Sequence, residues 1–472
     1  MKKYLYSVTL FLFVGLIQAQ EKTMSFSMQE AIDYALKNNY NAKAAKNDIE
    51  AAKNKKWETT TIGLPQINAK VDYQNWLKQQ VSLFPASFGD QYSQLRQLSE
   101  FYNLSALAIP GKNIPDAPTG FVPVTFGTKQ NINASVTVSQ LLFDGSYLVG
   151  LQSAKTYLKI SEQAKEKTEL GIKDAVINAY GNVLVAEKSI EILLRNKKVN
   201  DRLLKGARLG YKNGLAEEEQ VEQFEITEGS ILTNIRNAKR LKEIAYKMLN
   251  ITLGNDIATR LTLTDDLDAL VVENTDLNLL SKTFNLNNHI DYKIAENSRE
   301  SNRLLMKLEQ SKALPSLSAF VNYGTTANSD TFSFFSGNQK WFNSSLLGVS
   351  LKVPIFSSLG RSAKTAQAKI ALETSDIRLE ETKQRLSLQA EKARSDYQMS
   401  IENYETAKKN LNLAERIEKK QQIKFNEGIT TSFDLLQAQN QLYAQQNNYV
   451  QAMVNIIAKK ATLENALNLP IK

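Results

Sequence analysis

This 472-residue sequence predicts a mainly α-helical fold with a membrane β-barrel portion and an internal two-fold repeat. Three observations carry that expectation. First, segments recur in the same order in both halves. Tyr211-Lys212-Asn213-Gly214-Leu215 returns as Phe425-Asn426-Glu427-Gly428-Ile429, about 214 residues later, and each is followed by a helix bearing glutamine and leucine. Gly63-Leu64-Pro65-Gln66-Ile67 likewise returns as Ala313-Leu314-Pro315-Ser316-Leu317. A duplication of this length marks each half as one structural unit. Second, four segments of about ten residues alternate apolar and polar side chains, the period of a strand with two unlike faces. Third, long helical stretches keep a 4-3-4-3 apolar spacing, as in Ile172, Val176, Ala179, Val183, Ala186, Ile190 and Leu193, which is a coiled-coil seam.

Residues 1–19 read as a secretory signal peptide. Lys2 and Lys3 form the basic start, residues 10–17 the apolar core, and Ala19 the end of the cleavage site. The apolar run is too short for the roughly 30 Å of hydrocarbon in a bilayer. No later segment has about 20 consecutive apolar residues, so no transmembrane helix is expected after export.

The first repeat spans 20–255. Ser27-Met28-Gln29-Glu30 is a capping-box pattern that opens a helix to about residue 60. Leu64-Pro65 breaks it. Ile67, Ala69, Val71 and Tyr73 then form the apolar face of a strand. Residues 77–126, with five prolines, read as a long loop that holds one short helix over about 91–107. Ile132, Ala134, Val136 and Val138 make the second strand. Gly145 opens a helix of about 100 Å, at 1.5 Å per residue. Asn213-Gly214 turns it, and a second helix returns to about residue 253. An acidic, irregular connector is expected over 256–278. The second repeat, 279–472, follows the same order. It has a helix over about 279–313, a strand with Leu317, Ala319, Val321 and Tyr323, a loop with Phe332, Phe334 and Phe335, and a strand with Leu347, Val349, Leu351 and Val353. A long helix from Gly360 then carries a seam at Ala393, Tyr397, Ser400, Tyr404, Ala407, Leu411 and Ala414.

Composition excludes several classes of chemistry. With no cysteine there are no disulfides, thiolate metal sites or cysteine nucleophiles. The single histidine, His289, leaves little room for zinc sites or serine–histidine triads and reads as a turn residue. The net charge of +9 is spread among alternating lysines and glutamates, the pattern of solvated helix faces. No one-sided basic stripe or nucleic-acid module is present. Asp265-Asp266 is the one tempting acidic pair, and a solvated turn explains it. No catalytic, cofactor-binding or metal-binding residues are assigned, and no enzyme activity is expected.

Strands of this length cross a membrane at a tilt, with lipid on one face and water on the other. Val136, Val138, Val349 and Leu351 are expected to face lipid. Four strands cannot close a barrel, and an open edge in lipid leaves backbone groups without partners. Several chains sharing one barrel is the simplest solution.

With these residues in hand, the chain resembles the TolC-like outer-membrane efflux proteins. The resemblance rests on Ser27-Met28-Gln29-Glu30-Ala31-Ile32-Asp33-Tyr34-Ala35-Leu36, on the two Leu-Pro pairs before strands, and on the duplicated turns, above all Phe425 to Gln439. It implies a homotrimer in the outer membrane: a 12-stranded barrel with four strands per chain, continued by a helical periplasmic tunnel. It also implies a passive exit duct of a tripartite efflux or type I secretion-like system, without cofactor, that meets a periplasmic adaptor and through it an inner-membrane pump. The adaptor-docking tips would be Asn213, Gly214 and Leu215 with Glu427, Gly428 and Ile429. The family's periplasmic constriction maps onto Glu219, Gln220, Phe425, Thr430, Asp434 and Gln437. Here Phe425 and Thr430 replace a tyrosine and an arginine of the gating network, and Gln437 stands in place of its second aspartate. Glu217, Glu218 and Glu219 equally suit a helix N-terminus. The competing reading is a coiled-coil envelope tether or adhesin with a membrane base, which needs no barrel.

Overall fold

The computed structural model describes residues 24–102 and 115–469; the expected export signal over 1–19 lies outside the described residues. In chain order the elements are β1 (Met24–Phe26), α1 (Met28–Asn38), α2 (Tyr40–Thr61), β2 (Gln66–Asn75), β3 (Val81–Pro85), α3 (Ser93–Phe101), β4 (Phe121–Thr125), β5 (Gln130–Asp144), α4 (Gly145–Lys212) and α5 (Glu218–Leu253). Then follow β6 (Leu261–Leu263), α6 (Leu267–Asn274), α7 (Ile290–Ser311), β7 (Ser316–Ser329), β8 (Trp341–Lys352), α8 (Gly360–Asn426) and α9 (Ser432–Ala466). The chain divides into two compact units. One comprises Glu58–Leu148 and Gln310–Leu359, and the other the segments up to Trp57, Val149–Glu309 and from Gly360 on. Each sequence repeat therefore contributes to both units.

The first unit is built on a four-stranded antiparallel sheet of order β2-β5-β7-β8. Its register aligns the apolar residues of all four strands. Ile67 pairs with Val138, Val138 with Val321, and Val321 with Leu347. The next row sets Ala69, Val136 and Tyr323 beside one another, with the polar Ser345 at its β8 end. Ala319 pairs with Val349 and Leu317 with Leu351, so the four positions expected to face lipid lie on one face. Because strand side chains alternate, the intervening rows form the other face, with Asn68, Thr137, Asn322 and Leu346 in one row and Lys70, Ser135, Gly324 and Ser344 in another. On that face Asn322 donates to Thr137 Oγ1 at 2.6 Å, Asn131 donates to Asn328 Oδ1 at 2.8 Å, and Lys70 pairs with Asp72 at 2.9 Å. At one end of the sheet Tyr73 meets Phe332 and Phe334 edge-on, at 5.9 and 6.1 Å. At the other, Asp144 caps α4 by accepting from the backbone N–H groups of Ser146 and Tyr147. The segment expected as a loop is more ordered than its prolines suggested. β3 and β4 form an antiparallel hairpin with Leu83 opposite Pro123, and α3 is shorter than the helix anticipated there.

The second unit holds the seam. Ile172, Val176, Ala179, Val183 and Ala186 are buried, as are Ala393, Tyr397, Ser400, Tyr404, Ala407 and Ala414. All of these except Ala186, Ser400 and Ala414 pack with α1, α5, α6 and the C-terminal half of α9 in one large apolar cluster. Three expectations require correction. The first helix is two: Asn39 separates α1 from α2, and its side chain donates to Thr252 O at 2.6 Å. The connector over 256–278 is structured, because β6 pairs in parallel with β1 and α6 follows. The second repeat does not open on a long helix at 279. Two short 3-10 turns, Leu277–Ser281 and Leu286–Asn288, precede α7. His289 caps the second of them as a turn residue. Its Nδ1 accepts from the Asp291 N–H, and burial lowers its pKa.

Two buried tyrosines clasp these short segments. Tyr180 donates to Phe26 O at 3.0 Å and lies 3.1 Å from Asp265 Oδ2, which also accepts from Met28 N at 2.7 Å. Tyr397 donates to Asn274 O at 2.7 Å and accepts from Asp276 N at 2.9 Å. Asp266 caps α6. The acidic pair is thus a clasp and a helix cap rather than a solvated turn. Tyr397→Phe leaves the half-buried Asp276 N–H without its acceptor, and its expected cost is about 1 kcal/mol. An unchanged urea midpoint would contradict the clasp.

Candidate functional site

The tips of the two hairpins are built alike. Gly214 and Gly428 both have φ of +72°, a conformation that costs an L side chain energy. The Gly214 N–H donates to Tyr211 O at 3.0 Å and the Leu215 N–H to Gly210 O at 2.8 Å. The Gly428 N–H donates to Phe425 O at 3.0 Å and the Ile429 N–H to Lys424 O at 2.8 Å. This is the Schellman pattern, in which a left-handed glycine satisfies the last helix carbonyls. The motif usually buries the apolar residue after the glycine against the last helical turn. Here Leu215 and Ile429 instead stay 85% and 73% exposed. An added Cβ at either tip glycine meets nothing within 4 Å. Six residues singled out from sequence thus make two equivalent apolar knobs on tight turns.

Behind them lies an open cleft of about 950 Å³, lined by residues of both hairpins. Glu219, Gln220, Phe425 and Thr430 line it, whereas Asp434 and Gln437 are not among its lining residues. Phe425 packs edge-on against Phe224, with ring centroids 5.8 Å apart, in a small apolar cluster with Leu203, Leu204, Ala207 and Leu435. Glu218 and Glu219 occupy the first turn of α5, where negative charge complements the helix dipole, and Glu219 Oε1 accepts from Gln223 Nε2 at 2.9 Å.

Asp434 has a role that the sequence reading did not assign. Thr431 and Asp434 form a capping box at the start of α9. Thr431 Oγ1 donates to Asp434 Oδ2 at 2.7 Å and Thr430 Oγ1 at 2.9 Å. These bonds, Thr431 first, hold the Asp434 carboxyl below its ordinary pKa. A depressed carboxylate stabilises the fold above its unfolded pKa. The contribution is therefore present above about pH 4 and is lost as pH falls through the lower folded value. The signal was visible in Thr431-Ser432-Phe433-Asp434, the same spacing read as a capping box at Ser27. Thr431→Ala is expected to cost about 1 kcal/mol and to raise amide exchange in the first turn of α9. Unaltered exchange there would show that the cap contributes nothing.

Residues 285–469 match the family described as outer membrane efflux protein. Over that stretch the chain is similar to the outer-membrane efflux proteins. It is 23% identical over 340 residues to the outer membrane protein TolC of Vibrio cholerae serotype O1, spanning 71% of this chain and 76% of that protein. Its fold resembles CusC, solved in a study of folding and transmembrane channel formation, with a TM-score of 0.70, 16% identity and coverage of 94% and 93% of the two chains. VceC of Vibrio cholerae gives 0.67 at 14% identity, covering 94% and 97%, and the CmeC outer membrane channel of Campylobacter jejuni gives 0.67 at 16%, covering 93% and 85%.

Proposed function

We propose that three copies of this chain close one 12-stranded barrel and act as the passive exit duct of a tripartite efflux or type I secretion-like system. The observation that carries the reading is the sheet. Its four strands hold most of their apolar side chains in register on one face, and β2 and β8 are left as edges. Lipid tolerates neither edge unpaired, so β2 of one copy pairs with β8 of the next until the ring closes. A 3-4-3 stripe on α5, Leu241, Ile244, Met248 and Ile251, is more than half exposed in the single chain and suits a neighbouring helix. Substrate moves through the lumen without chemistry, driven by an inner-membrane pump. The tip knobs, Leu215 and Ile429 on Gly214 and Gly428 with Asn213 and Glu427 beside them, dock the periplasmic adaptor. Val136, Val138, Val349 and Leu351 face lipid. Glu219, Gln220, Phe425 and Thr430 sit where a constriction between copies would form, and Asp434 contributes there chiefly by fixing the turn.

The test is single-channel recording from purified protein in planar bilayers. Discrete conductance steps from a particle of three chains are expected. A monomer without conductance, or one that binds bilayers without opening a pore, would favour the tether reading.

A further inference from the structure

The apolar core of the helical unit is interrupted. The large cluster on α4 includes Ile192, and the tip cluster takes over at Leu203. On α8 the large cluster includes Ala407 while the tip cluster has Phe425 packed against it, and on α9 they hold Val450 and Leu435. Between them α4 buries Asn196 and Asn200, and α9 buries Gln439. Asn196 donates to Gln446 Oε1 at 2.8 Å, and Asn200 donates to Phe224 O at 3.1 Å. Much of the remaining polarity has no protein partner. Asn200 Oδ1, Gln421 Oε1, Gln439 Oε1 and the Tyr443 hydroxyl are buried without a hydrogen bond. Asn200 and Gln439 are themselves 0% and 1% exposed. Glu418 lies in the same layer. Burial raises its pKa against a hydrogen bond from Gln439 and the charge of Arg202 on α4, and burial, with the Glu418 charge second, holds the Tyr443 hydroxyl protonated. Ala414, Ala438 and Leu442 are buried near this level too, but join neither cluster.

Orphaned buried polar atoms are rare in native interiors, and several of them on three helices at one level mark a place where water completes the structure. Such a layer lacks the close packing that makes a core move as one body. We propose that this polar layer is a hydrated joint, at which the tip module centred on Phe224, Phe425 and Leu435 shifts as a unit against the rest of the helical hairpins. It lies about ten residues from Gly428, or roughly 15 Å along the helix. The purpose of the joint, widening the periplasmic end of the conduit, rests on the channel reading. Its existence does not.

Amide hydrogen exchange on the full-length protein separates the two. A helix that only frays gains protection steadily with distance from its turn. A joint instead gives a dip: amides in the layer, around 418–421 and 439–443, exchange about tenfold faster than those of the tip cluster, which lie nearer the turn. Protection that rises steadily from tip through layer would overturn the proposal. The double variant Gln439→Leu, Tyr443→Phe removes two of the orphaned groups. It is expected to slow exchange in the layer about tenfold and to lower the channel's open probability in bilayers. Layer exchange that stays as fast in the folded variant would count against the joint. If the variant does not fold, the wild-type profile decides. A dip in exchange from a protein that never conducts would keep the joint and remove its assigned purpose.

Discussion

Replacing both tip glycines by tryptophan, Gly214→Trp with Gly428→Trp, is expected to abolish efflux while leaving folded trimers in the outer membrane. The expectation follows from two features of the turns. Each glycine sits at a φ of +72°, so a side chain costs about 1–2 kcal/mol per turn. That is small beside the apolar cores of the unit, and a Cβ at either position points into open space. The chain should therefore fold, and the added bulk should be met only by a docking partner. Gly428→Asn supplies the control, because asparagine tolerates the left-handed conformation with little bulk. It should retain most efflux. Cell survival under an effluxed toxin, trimer yield and crosslinking to the adaptor are the readouts. Survival and crosslinking like the wild type, at normal trimer yield, would show that the tips dock nothing.

The second large effect is on the sheet. Arginine at Val138 puts a cation in the apolar row shared with Ile67, Val321 and Leu347. If that row faces the bilayer midplane, the cost is about 2–4 kcal/mol for each chain, repeated around the ring. Trimer yield in the outer membrane should fall severely. Arginine at the adjacent Thr137 points to the opposite face. It gives up the hydrogen bond from Asn322, about 1 kcal/mol, and should chiefly change conductance. Equal yields for the two variants would refute the assigned facing.

These effects rest on features that differ in how legible they were. The four strands were readable because each alternates apolar and polar residues over about ten positions, and the register then confirmed that the apolar rows coincide. The long helices were readable from the 4-3 seam, which survives as buried residues on α4 and α8. What escaped was structure held by distant partners. β1 and β6 are three residues each and pair across the chain, Met24 with Leu261, so neither shows a period of its own. The break at Asn39 has no proline or glycine, since the side chain is held by Thr252 O from α5. The β3–β4 hairpin sets Pro123 opposite Leu83, and its prolines argued for a loop. At the tips the glycines announced the turns, but alignment alone could not tell that the Asp434 carboxylate is engaged by Thr430 and Thr431. The polar layer was invisible because single asparagines and glutamines on long helices read as surface until the packing shows them buried.

The central claim, that β2 of one chain pairs with β8 of the next to close a ring of three, is tested most directly by cysteine crosslinking. The sequence contains no cysteine, so every bond formed is an introduced one. A cysteine at Lys70 would be combined in the same chain with one at each of Ser344, Leu346 and Ser350 in turn, and oxidised in the membrane. At the pair that falls opposite across the seam, the Cα atoms come within the roughly 4.4–6.8 Å that a disulfide spans. Denaturing gels should then show dimers and trimers and nothing larger, as expected for a closed three-chain barrel. Monomers alone for all three pairs, or a ladder continuing beyond trimer, would contradict it.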